Sequence, residues 1–164
     1  MNQTNTNPIN ITNKRVAFIE AGWNKGVVSE ASKACLSVLE EAGLSKAQAE
    51  FFDVPGSLEI PLQAKWLAKT RQYDVIIACG LITDSGIYRH EFVAKTVIEG
   101  MMSVQLETEV PILSVVLTPH QCHDTDVHLG FFKEHFKTKG KEAAQACLQT
   151  FHNIERLSLH DKAA

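Results

Sequence analysis

Apolar positions along this chain follow two rhythms. Val75 to Cys79 (V-I-I-A-C) is an uninterrupted, largely β-branched run of strand length, the pattern of a strand buried on both faces of a parallel sheet. Arg15 to Glu20, Ala49 to Val54 and Pro111 to Thr118 read as three more strands. Between these runs, apolar residues recur at the three-to-four spacing of a helix face. That spacing predicts helices from Val27 to Ala42, with Gly43 as C-cap, and from Leu58 to Thr70, with Pro61 tolerated in the first turn. A third helix carries Phe92, Val93, Thr96, Val97, Gly100, Met101 and Val104 on one face, and a fourth runs from Lys139 to about Leu157. Residues 119–136 read as a long connection with room for a short helix.

Strands that alternate four times with helices imply an α/β fold, a flavodoxin-like three-layer sandwich around a four-stranded parallel sheet. The polar, Asn- and Thr-rich residues 1–13 read as a flexible arm. Residues 14–158 form a single domain, and 159–164 a tail.

Composition narrows the function. The 164 residues are 45% hydrophobic with a net charge of −3, so a sizeable core is affordable and no basic field invites nucleic acid. No apolar run approaches the roughly 20 residues of a membrane span, and the first residues lack a leader pattern, so a cytoplasmic protein is expected. Cys35, Cys79, Cys122 and Cys147 are widely spaced and read as free cysteines used as small hydrophobes.

Candidate chemistry concentrates after the third strand, where Thr83, Asp84, Ser85 and Gly86 turn the chain toward a helix. Backbone amides and the positive helix end converge at such a junction, and Arg89 and His90 sit there. Trp23, in the loop after the first strand, is either a half-buried packing residue or a ring-stacking platform. P-G-S-L-E-I-P (55–61) fixes the backbone with two prolines and a glycine, exposing amides and the Glu59 carboxylate at a helix start, where the dipole favours it. Ser114 interrupts an apolar strand and reads as a hydrogen-bonded sheet residue. His120, His123, His128 and His135 crowd the last connection with Cys122, Asp124 and Asp126, but in no common zinc spacing; they read as solvated histidines, or as one recruited to an anion. Dinucleotide, P-loop and Gly-x-Ser-x-Gly patterns are absent.

Taken together, Trp23, P-G-S-L-E-I-P (55–61), G-L-I-T-D-S-G (80–86) and V-V-L-T (115–118) resemble lumazine synthase from about Arg15 to about Leu157. The likeness is closest to a divergent branch with G-I-Y-R-H-[DE]-F-V-A, Q-L-E-T-E-V-P and S-V-V-L-T-P-H, which stand here at 86–94, 105–111 and 114–120.

That resemblance implies a metal-free and cofactor-free condensation of 5-amino-6-(D-ribitylamino)uracil with 3,4-dihydroxy-2-butanone 4-phosphate. The product is 6,7-dimethyl-8-ribityllumazine, made in the penultimate step of riboflavin biosynthesis. The alternative is a flavin- or lumazine-binding protein with little turnover. By the resemblance, Trp23 stacks on the ring, Ser57, Leu58 and Glu59 bind the ribityl chain, and Leu81, Ile82 and Thr83 hold the pyrimidine. Gly86 and Ile87 receive the phosphate. Ser114 falls where a neighbouring subunit offers a residue to the ring. The family's phosphate-binding arginine falls on His128, and its catalytic histidine falls on Arg89, with His90 next. The resemblance also implies a homo-oligomer built from pentamers, as in the decameric members.

Overall fold

A computed structural model describes residues 9–120, 122 and 125–161. Four strands, β1 (Val16–Ala21), β2 (Ala49–Val54), β3 (Val75–Leu81) and β4 (Ile112–Leu117), alternate with four helices, α1 (Lys25–Glu41), α2 (Ile60–Thr70), α3 (His90–Thr108) and α4 (Asp126–Asp161). All strand pairs are parallel, in the order β2-β1-β3-β4. This is the α/β class read from the sequence.

Alternation along the strands divides the core in two, because successive side chains point to opposite faces. Val16 and Phe18 of β1, with Val75, Ile77 and Cys79 of β3, meet α1 and α4 on one face. Ala17 and Ile19, with Ile76 and Ala78, meet α2 and α3 on the other. The central strands are buried throughout, and the edge strands only in part.

The fourth helix is the main departure from the sequence reading. It begins at Asp126, so most of the expected long connection is helical, and Phe132, Phe136, Ala143, Ala144, Cys147 and Phe151 form its inner stripe against the α1 face. Gly140, inside the helix expected from Lys139, is the point of closest approach. A Cβ there would lie 2.1 Å from the Ala31 carbonyl oxygen of α1, so only glycine lets the two helices pack. His128 and His135 therefore belong to a helix, while His123 and Asp124 lie outside the described residues.

The amino-terminal arm also departs in part. Residues 1–8 lie outside the described residues, but Ile11 is fully buried and Ile9 packs against the same core. The Gln48 side-chain amide fixes this approach by donating to the carbonyls of Thr12 (2.9 Å) and Lys14 (2.5 Å). At the other end α4 runs past residue 159 to Asp161, and 162–164 lie outside the described residues. All four cysteines are buried.

Candidate active site

β1 and β3 are neighbours in the sheet, yet the helices that follow them leave to opposite faces, α1 to one and α3 to the other. Such a divergence opens a crevice at the carboxyl ends of the strands. A cavity of about 270 Å³ occupies it. Trp23 reaches it from the loop after β1, and Pro55 to Glu59 from the loop after β2. Leu81, Ile82, Thr83 and Ser85 line it from the end of β3, and Tyr88, His90 and Val93 from the approach and first turn of α3.

Trp23 is held by backbone rather than by packing. The preceding Gly22 donates its N–H to the Val54 carbonyl (2.7 Å), and Asn24 adopts a left-handed conformation (φ 57°) that turns the chain into α1. Lys25 then pairs with Asp53 at the end of β2, and that carboxylate holds the lysine above its ordinary pKa. Below the loop, the buried Ser32 hydroxyl of α1 donates to Glu20. The indole is 67% exposed.

Pro55 to Glu59 form a tight lip. Glu59 folds back so that the Gly56 N–H donates to its carboxylate (2.9 Å), and Ser57–Glu59 make a 3-10 turn that leads into α2. Ser57 is pressed onto β3 opposite Gly80, where a Cβ would lie 2.7 Å from the Ser57 Oγ. Glycine at position 80 is what allows the lip to close over the strand end.

The turn after β3 is built around Asp84. Its N–H donates to the Cys122 carbonyl (2.8 Å), and its carboxylate accepts the N–H of Gly86 (3.1 Å), which sits at φ 72° where glycine is favoured. The chain then enters α3 with Arg89 as N-cap. One helical step turns a side chain by about 100°. The Arg89 guanidinium accordingly lies over the Phe92 ring, 4.1 Å from its centroid, while His90 lines the cavity. The His90 Nδ1 is 3.8 Å from Asp84 Oδ1 and 3.9 Å from Glu91 Oε2.

The fold thus brings Trp23, Ser57, Leu58, Glu59, Leu81, Ile82, Thr83 and His90 to one cavity. Arg89, Gly86 and Ile87 do not line it; Ile87 is 82% exposed. Ser114 is exposed on the edge strand β4, its hydroxyl accepting the Val116 N–H at 3.3 Å. His128 stands in the first turn of α4, its backbone N–H facing the Thr125 hydroxyl at 3.4 Å. Tyr88 and Ser85 line the cavity without having been singled out in the sequence. Tyr88 had one signal, an aromatic just ahead of a helix start in the turn that carries the chemistry.

An exposed indole, an imidazole near two carboxylates and an apolar wall lie at the switch point of a parallel sheet, where α/β proteins of this topology receive small molecules. The 6,7-dimethyl-8-ribityllumazine synthase family matches residues 13–155. A protein of Bradyrhizobium diazoefficiens named 6,7-dimethyl-8-ribityllumazine synthase 2 is 54% identical over 144 residues, 88% of this chain and 86% of that one. The 6,7-dimethyl-8-ribityllumazine synthase of Rhodococcus erythropolis is 48% identical over 147 residues, 90% of this chain and 95% of its own. The second such synthase of Pseudomonas syringae pv. tomato is 46% identical, covering 93% of this chain and 91% of its own. The chain belongs to the 6,7-dimethyl-8-ribityllumazine synthase family. It is an enzyme, a transferase of riboflavin biosynthesis that condenses the ribitylaminouracil with the butanone phosphate. Family membership also implies small-molecule substrates and a homo-oligomer.

Proposed function

We propose that the condensation takes place in the cavity at the carboxyl ends of β1, β2 and β3. The pyrimidine's amine adds to the ketone to give an imine, phosphate is eliminated, and ring closure releases water. Trp23 stacks on the heterocycle and the backbone of Leu81, Ile82 and Thr83 holds its edge. Ser57, Leu58 and Glu59 receive the ribityl chain. His90 assists proton transfer, because an imidazole titrates near neutral pH whereas a guanidinium stays charged. The reading is carried by one observation, that Trp23 and His90 face the same cavity from different elements.

Phosphate falls to Arg89, Gly86, Ile87 and His128. The Gly86 N–H is engaged with Asp84, so at this turn the anion is received chiefly by Ile87. Arg89 supplies the charge that favours its arrival. Ser114 and His128 act in the pocket of an adjacent subunit, within a pentamer-based assembly that resembles a decamer. Supporting an assembly, Leu62, Trp66, Met102 and Leu106 on the outer faces of α2 and α3 are more than half exposed. A cytoplasmic location agrees with four buried cysteines used as small hydrophobes.

The test is product formation from the two substrates, followed by lumazine fluorescence. His90→Ala should cost about 10–100-fold in turnover with little change in binding, a modest loss because positioning carries most of the rate. Arg89→Lys should mainly raise the Michaelis constant for the phosphorylated substrate. Full turnover in His90→Ala, with Arg89→Ala inactive at unchanged affinity, would reverse the two roles.

A further inference from the structure

We infer that Asp84 is a positioning residue for His90, orienting the imidazole toward the cavity and stabilising its protonated form as it moves a proton. The inference rests on the proposed role of His90.

Three observations carry it. Asp84 Oδ1 lies 3.8 Å from His90 Nδ1, within ion-pair reach though beyond a direct hydrogen bond, which leaves the ring's other nitrogen for the cavity. The carboxylate does not drift, because the Gly86 N–H holds the same oxygen and the Asp84 N–H is anchored on the Cys122 carbonyl. The imidazole is itself confined, its side chain 17% exposed. Glu91 offers a second carboxylate at 3.9 Å, but on a longer side chain that is 59% exposed, so water screens it more than Asp84 at 33%. The remaining groups around the ring are Tyr88 beside it, Glu59 on the opposite lip, and Arg89, whose guanidinium lies over Phe92.

The chemistry explains why a carboxylate belongs there. When the amine attacks the ketone, its nitrogen gives up a proton to the imidazole. The imidazolium returns it to the alkoxide oxygen of the adduct, and the second nitrogen proton follows the same route as the resulting hydroxyl leaves as water and the imine forms, so His90 ends as it began. An imidazolium is formed only between each uptake and its return, and a fixed carboxylate lowers its energy without being protonated itself.

Asp84→Asn tests this, since the amide oxygen still accepts the Gly86 N–H while the charge is gone. Turnover should fall about tenfold with Michaelis constants changed less than about twofold, the signature of an interaction made during the reaction. Glu91→Gln should leave turnover within about twofold of the parent. In a His90→Ala background, Asp84→Asn should cost less than about twofold further, because the two act as one unit. Unchanged turnover in Asp84→Asn, or an equal loss with and without His90, overturns the pairing. Should His90→Ala alone keep full turnover, the proton-transfer reading fails first and this inference with it.

Discussion

The two faces of the sheet share strands but not a way of packing. Toward α1 and α4, Phe18, Phe136 and Phe151 are fully buried and the two helices touch backbone to backbone at Gly140. Toward α2 and α3 the buried layer is aliphatic, with Ile19, Ile60, Ile76 and Met101 among alanines such as Ala17, Ala64 and Ala78 and no buried phenylalanine among the described residues, and the outer helix surfaces stay apolar and exposed at Trp66, Met102 and Leu106. Large interdigitated side chains leave no room for a ligand, and most of the stability of a face comes from such burial. The cavity opens at the carboxyl ends of the strands, beside Ile82 and Val93 of the second face. One face closes on a helix-to-helix backbone contact, while the other borders the cavity.

Glycine substitutions should separate the faces most sharply. Gly140→Ala forces a methyl into the Ala31 backbone, which has nowhere to go, and should destabilise the protein by about 3 kcal/mol or more in urea unfolding. Gly100→Ala meets only the Pro61 ring, at 3.0 Å, and its gain of about 1 kcal/mol in helix propensity offsets much of the crowding. Comparable losses for the two variants would erase the distinction between a rigid face and a yielding one.

How far the sequence reveals these faces follows from the same physics. The strands are legible because burial on both sides demands continuous β-branched runs, and β2 spans the residues expected of it. The first half of α4 is not, since its inner stripe is carried past Gly140 by only a few apolar residues among lysines and histidines. Only the facing backbone of Ala31 explains that glycine, and a neighbour distant in sequence leaves no local mark. Strand ends are legible as a candidate site because open α/β sheets bind ligands there. The orientation of Arg89 against His90 is not, because it depends on the residue at which α3 begins. Tyr88 enters the cavity for the same reason.

On the site's side of the comparison, Trp23→Ala should weaken lumazine or riboflavin binding by about 1–3 kcal/mol, the scale of an aromatic stack. Folding should be nearly unaffected, since two thirds of the side chain is already in contact with water. Calorimetric titration and urea unfolding on the same variant give both numbers. Unchanged affinity, or a loss of stability equal to the loss of binding, would move Trp23 back among packing residues.

The smallest expected effect lies on the tightly packed face and appears only in alkali. Burial pushes the Cys147 thiol up to about 12, with a further push from the charge of Asp74, and burial also raises Cys35 and Cys79. In the unfolded chain a thiol ionises near about 8.5. Above that pH the unfolded state sheds a proton that the folded state keeps, so stability contributed by the buried thiol is present below about 8.5 and declines as pH rises toward about 12. Between pH 8 and 9.5 a single such thiol should cost about 1 kcal/mol. Cys147→Ala should therefore start less stable, from the lost packing, and then lose about 1 kcal/mol less than the parent across that interval. Parallel declines in urea unfolding would mean that water reaches Cys147 and that this face is less dry than its aromatic packing implies.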